Sequence, residues 1–149
     1  MRYLIILLFF LLSTFTTAFG QDIVQSQVPQ AILTSFSENF SNAGDVEWEK
    51  RATYYEVEFD TRWGRDHEAW YDENGNMLYH KEEIPNRDLP QLIVDIINTE
   101  FEGYRVDDTD KITEGEEVRY LIALDAENSH DIDLLIRDDG EIISEIYDD

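Results

Sequence analysis

The chain contains no cysteine. Disulfides, a thiol nucleophile and a thiolate metal site are therefore excluded, and so is a lipoprotein anchor. A domain of this size must then be stabilised by burial alone. Positive charge is also scarce: 11 Lys and Arg stand against 34 Asp and Glu, for a net charge of −23. Such a polyanion repels nucleic acid and anionic lipid, because both are bound through Lys and Arg neutralising phosphate. A basic protein, a divalent cation or a cationic surface is the compatible partner class. The same charge keeps an exported protein soluble.

Long hydrophobic runs are missing with one exception. Tyr3 to Leu12 is apolar, preceded by Arg2 and followed by the small and polar stretch Ser13 to Gly20. The run is shorter than the ~20 residues of a membrane span. Ala18 and Gly20 occupy the −3 and −1 positions of a cut before Gln21, the layout of a cleavable signal peptide over residues 1–20. The expected product is periplasmic or secreted, with no membrane insertion after cleavage.

Catalytic motifs are missing as well. There is no G-x-S-x-G elbow, and none of His67, His80 and His130 lies in an H-E-x-x-H helix. His67, His80 and a nearby acid could meet a metal only if neighbouring strands put them on one face. Without zinc-motif spacing they read as ordinary sheet histidines, so no metal and no cofactor is expected. Asp72-Glu73-Asn74-Gly75 invites a calcium reading, but the loop pattern needs an acid or amide where Trp70 stands. With no visible site, the chain reads as non-enzymatic.

What the chain does have is aromatic supply and self-similarity. Three Trp, eight Tyr and eight Phe argue for a packed core rather than disorder. Val28-Pro29-Gln30-Ala31-Ile32 is echoed by Leu89-Pro90-Gln91-Leu92-Ile93, Phe40 by Phe101, and Asp72-Glu73-Asn74-Gly75 by Arg137-Asp138-Asp139-Gly140. Residues 21–86 and 87–149 thus read as two copies of one unit. Pro29 and Pro90 suit a first helical turn. Ile32, Leu33, Phe36 and Phe40 fall on one helical face, as do Leu89, Leu92, Ile93, Ile96, Ile97 and Phe101. Gly44 and Gly103 are expected helix exits.

Four alternating segments follow each helix: 45–50, 55–60, 67–72 and 77–82, then 106–113, 118–125, 131–137 and 141–147. Asn74-Gly75 and Asp139-Gly140 predict hairpin turns, both residues of Asn-Gly tolerating positive φ. Period-two alternation with polar partners predicts antiparallel sheet with one wet face. The expected fold is α+β: a tandem duplication of a helix plus a four-stranded antiparallel sheet, with both helices on one face and the two sheets either separate or joined into one longer sheet.

The opening Val-Pro-x-Ala-Ile of residues 28–32, the Val46-x-Trp48-x-Lys50 and Tyr55-x-Val57-x-Phe59 strands and the Asp72-x-Asn74-Gly75 turn resemble the PepSY-like, beta-lactamase-inhibitor-like family of small bacterial envelope proteins. The second half resembles it through Leu89-Pro90, Phe101-x-Gly103-Tyr104 and Asp138-Asp139-Gly140. The resemblance implies a tandem helix-plus-four-strand fold whose concave sheet binds a protein, and it brings no catalytic residues. It departs where Trp48 would recur, at Asp110-Lys111-Ile112.

A protein-binding surface is expected on the open face and the loop beside it. Its candidate residues are Glu56, Glu58 and Trp70 on strands, and Arg62, Trp63 and Arg65, a basic island in an acidic chain. Trp and Arg are enriched where interfaces carry most of their energy. The expected role is an inhibitor-like or binding module for an envelope or secreted protein of basic character. The alternative is a small ligand-binding protein or enzyme with a cavity between helix and sheet.

Overall fold

The computed structural model describes residues 20–61, 64–127 and 129–147. The expected α+β tandem of helix-plus-four-strand units does not form. In its place is a single nine-stranded antiparallel sheet with two ten-residue helices, a mostly β architecture rather than α+β. The strands are β1 Gln21–Ile23, β2 Gly44–Lys50, β3 Tyr55–Thr61, β4 Arg65–Tyr71, β5 Met77–Glu83, β6 Arg105–Glu114, β7 Glu117–Asp125, β8 Ile132–Arg137 and β9 Ile142–Tyr147. They lie side by side in chain order. Helix α1 (Gln30–Asn39) connects β1 to β2, and α2 (Gln91–Glu100) connects β5 to β6.

The physical reason for the correction is the strand edge. Two separate sheets would each expose a row of unpaired N–H and C=O groups at β5 and β6. Here those edges pair, His80 to Glu83 against Thr113 to Asp110 in antiparallel register, and the ladder runs through. The ninth strand, β1, lies just after the expected signal cut and pairs Ile23 with Trp48. Three residues carry too little alternation to announce a strand.

Opposed residues in antiparallel strands share a face, so register fixes the two sides. Both helices pack on the same side. Under α1 lie Trp48, Tyr55, Val57, Phe59, Ala69 and Tyr71, met by Ile32 and Phe36. Under α2 lie Tyr120, Ile122, Leu124, Ile132, Leu134 and Ile136, met by Ile93 and Ile97. Not every stripe residue is buried. Leu92 is 48% exposed and Phe40 only partly buried, whereas Phe101 is buried in the α2 core; Phe40 and Phe101 are the C-caps, where each donates its backbone N–H to the carbonyl four residues earlier.

The two predicted hairpins tuck under the helix starts. Gly75 takes φ +86°, and a Cβ there would lie 2.6 Å from the Ala31 carbonyl oxygen, so glycine is required both for conformation and for the close approach to α1. Asn74, expected to share the positive φ, does not take it. The turn is a five-residue loop closed by Asp72, whose carboxylate accepts from the Asn74 and Asn76 backbone N–H groups at 2.9 Å. The Asn76 side-chain amide, donating to the same carboxylate at 2.8 Å, and then those backbone bonds hold the Asp72 carboxyl below its usual range. Gly44, expected as a helix exit, instead opens β2.

Candidate functional site

The side of the sheet away from the helices is built from the alternate residues of the same strands. Register aligns them in rows across the sheet. One row runs Glu47, Glu58, Glu68, Lys81, Ile112, Arg119, Arg137, each opposite the next. Three glutamates thus sit directly side by side. Burial first, and then the neighbouring Glu56, Glu68, Glu49 and Glu47, push the Glu58 carboxyl above its usual range. Lys81 is the nearest cation along the row, 3.9 Å from Glu68 and 3.8 Å from Asp110. Burial raises the Asp110 carboxyl too, against the pull of Lys81.

This acidic row borders a hollow of about 550 Å³. Nine carboxylate side chains and one cation, Lys81, are among the described residues that line it. Concave surfaces of one sign focus their field and raise the local concentration of opposite charge. A bulge between Gly44 and Glu47 breaks the β2–β3 register, with Asp45 at φ +44°. That conformation is uncommon for a residue other than glycine, and it leaves Asp45 on the rim of the hollow.

Beside the acids lies an aromatic shelf. Trp70 is stacked between Tyr54, at 4.7 Å and 27°, and Tyr79, at 4.2 Å and 23°. Its indole Nε1 donates to Glu68 Oε1 at 2.6 Å, which ties the shelf to the acidic row. Burial pushes the Tyr79 hydroxyl up to about 12. Farther along the sheet the face becomes aliphatic, with Ile112, Leu121 and Leu135, and its arginines are neutralised: Arg119 pairs with Glu114, and Arg137 with Glu117 and Glu141.

The six residues singled out from the sequence are not equivalent. Glu58 and Trp70 lie on the open face. Glu56 lies there too but is only 7% exposed, its carboxylate held at 2.7 Å by Arg51 Nε. Arg65 opens β4 on the other face, in alternation with His67 and Ala69. Arg62 and Trp63 lie outside the described residues, as does the expected signal segment 1–19. Sequence reasoning missed Glu47, Glu68, Lys81, Asp110, Tyr54 and Tyr79. Alternation marks each as wet, but only strand register shows that they adjoin.

On the helix side, where the α1 core gives way to the middle of the sheet, the condition set for the histidines is met. His67 of β4 and His80 and Glu82 of β5 share a face, with ligand atoms all within 4.8 Å of one another. The His67 Nδ1 to His80 Nε2 distance is 3.1 Å, and Thr61 Oγ1 lies 2.9 Å from His67 Nε2. Burial holds both imidazoles below their ordinary value. Glu82 also accepts from Lys111 Nζ at 3.3 Å.

The arrangement has relatives. The chain matches the family described as "Putative beta-lactamase-inhibitor-like, PepSY-like" over residues 16–78 and again over 54–144. It shares its fold with a BLIP-like protein from Bacteroides fragilis at 23% identity, TM-score 0.62, over 80% of this chain and 86% of that one. A DUF2874 family protein from Bacteroides uniformis aligns at 17% identity and TM-score 0.65, over 80% and 88%. A protein from Bacteroides eggerthii named as a putative periplasmic protein does so at 15% and 0.65, also over 80% and 88%. No curated protein matches. At these identities the structural likeness establishes fold, whereas the two family matches together span most of the sequence: the chain belongs to the beta-lactamase-inhibitor-like, PepSY-like family.

Proposed function

We propose that the chain is an exported, non-enzymatic, inhibitor-like binding module of the cell envelope, whose open sheet face takes a basic segment of another envelope or secreted protein. The observation that carries this reading is the row Glu47–Glu58–Glu68. Like charges directly opposite across strands cost stability, and a cationic partner would turn that cost into attraction. The aromatic shelf of Tyr54, Trp70 and Tyr79 adjoins the row and supplies rigid apolar area of the kind that anchors interfaces. The descriptions of the family and of its structural relatives, inhibitor-like and periplasmic, agree with this role.

The reading includes export through residues 1–20, cleaved before Gln21, and an organisation in two copies over 21–86 and 87–149. Among the described residues no helix is long and apolar enough to cross a membrane. Arg62 and Trp63, between β3 and β4 in the sequence, belong to the proposed surface, with Glu56 held in its floor by Arg51, whereas Arg65 lies on the opposite face. The alternative of a cavity between helix and sheet is disfavoured by the filling of that space: Ile32, Val57, Ile93, Ile122 and Leu134 are fully buried there.

The experiment is capture from native envelope extract with the wild-type protein and two variants, Glu58→Gln/Glu68→Gln and Trp70→Ala. A partner held by the wild type and lost by both variants, at an on-rate that falls with salt, supports the proposal. A partner held equally by all three removes the open face from the site.

A further inference from the structure

We propose that His67, His80 and Glu82 form a binding site for a transition-metal dication of the zinc type, on the helix side of the sheet. This goes beyond the open-face reading and does not depend on it. The register pairs Ala69 with His80 and His67 with Glu82. Adjacent strands therefore place two imidazoles and a carboxylate on one face, with their ligand atoms within 4.8 Å of one another. Two imidazoles and a carboxylate are a zinc donor set. Calcium and magnesium want oxygen from most of their shell, so this set selects against them although the chain is rich in carboxylates.

The geometry is close to what an ion requires. Two nitrogens bound at about 2.0–2.1 Å to one tetrahedral ion lie roughly 3.3 Å apart; His67 Nδ1 and His80 Nε2 are 3.1 Å apart, hydrogen-bonded to each other across nearly coplanar rings, so an ion would replace that bond and turn both rings toward itself. The outer contacts fit as well. Thr61 Oγ1, 2.9 Å from His67 Nε2, can accept that nitrogen's proton and leave Nδ1 with its lone pair toward the ion, the orienting role common around metal-bound histidines. Phe59 stacks on His67 at 4.9 Å and 7°, and Phe40 packs against His80 at 5.1 Å. The rings are thus held in place and partly shielded from water. The hydrogen bond between them holds one proton on the two facing nitrogens, which metal entry must move or displace. A hollow of about 140 Å³, lined by His80, Glu82, Lys111 and Thr113, gives entry.

Lys111 opposes the ion. Its Nζ, 3.3 Å from Glu82 Oε1, neutralises the carboxylate and places a positive charge beside the site. Metal entry must draw Glu82 away from Lys111, so removing that charge should tighten binding.

The test is titration of the metal-free protein with Zn²⁺ in excess Ca²⁺, which occupies the surface carboxylates. Calorimetry and the imidazole NMR signals report the outcome. One site is expected, with shifts at His67 and His80 and none at His130. His80→Gln and Glu82→Gln should each weaken it by more than about tenfold, the scale on which even outer-shell changes act, and Lys111→Gln should strengthen it. Both ligand variants are at partly exposed positions, and circular dichroism checks their fold. The wild-type NMR titration needs no variant at all. Equal affinity in wild type and His80→Gln, or shifts at His130 in step with the others, would overturn the site in favour of surface carboxylate binding.

Discussion

The two halves of the sheet are built alike and filled differently. The α1 side is aromatic, with Phe36, Trp48, Tyr55, Phe59 and Tyr71, whereas the α2 side is aliphatic, with Ile93, Ile97, Ile122, Leu124, Leu134 and Ile136. The aromatic core carries polar atoms inside: Trp48 Nε1 and Tyr71 OH are buried with no hydrogen-bond partner among the described residues, and His67 is nearly buried against Phe59. In the second half the one such atom among the described residues is Arg119 Nε of β7, on the open face rather than in the aliphatic core. The outer faces differ in the same direction. The first half exposes aligned carboxylates, and the second neutralises its arginines. One half therefore holds features that cost stability, and both proposed sites lie in it.

The largest test separates the halves by stability. Phe36→Ala should cost about 3–5 kcal/mol, and hydrogen exchange should show β2–β4 losing protection while β7 and β8 keep theirs. Ile97→Ala, at about 2–5 kcal/mol, should show the reverse. Uniform loss in both variants would merge the halves into one cooperative unit.

A smaller effect sharpens the contrast in polar content. Tyr71→Phe removes a buried hydroxyl without a partner, whose burial pushes its pKa up to about 12. An unsatisfied buried group costs about 1–3 kcal/mol, so thermal or denaturant unfolding should show the variant to be the more stable protein. Tyr120→Phe in the second half, whose hydroxyl is not among the buried atoms without a partner, should gain less.

The histidines give the halves different pH responses. Burial lowers the folded-state pKa of His67 and His80 below the unfolded value near 6.5. The unfolded chain then binds more protons as pH falls through 6.5 toward the folded values, so their contribution is complete above 6.5 and is lost below it. Glu58 and Asp110 act oppositely, because their folded pKa values are raised. The strain of ionising them appears as pH rises past their unfolded values. Denaturant midpoints measured from pH 7.5 to 5.5 should fall in the wild type and flatten in His67→Gln/His80→Gln.

The smallest effect is expected on the open face. Glu58→Gln removes the middle charge of the row and should stabilise the fold by a few tenths of a kcal/mol up to about 1 kcal/mol. The gain should shrink at high salt. Calorimetric unfolding at two salt concentrations checks it, and destabilisation instead would mean that Lys81 compensates the row fully.

Much of the fold was legible in local pattern. The helix stripes Ile32–Phe36 and Ile93–Ile97, the alternation of Tyr55-Val57-Phe59 and Ile132-Leu134-Ile136, and the turns at Gly75 and Gly140 follow from side-chain period and glycine conformation. Leu92 was misplaced because helical spacing does not say how wide the buried stripe is. Candidate sites were legible only in part. Trp70 and Glu58 stood out by residue type, but Glu68, Lys81 and Tyr79 are ordinary strand residues until a register sets them beside those two.

The sequence by itself determined which residues face the core, where the chain turns, and that the surface is acidic and free of thiols, since these depend on neighbours a few positions apart. Tertiary structure alone decided that β5 and β6 join into one nine-stranded sheet. It also decided that three glutamates line up across β2, β3 and β4, and that His67 meets His80 and Glu82. Each of these is a pairing between strands, and shifting a strand by one residue would send every side chain to the opposite face.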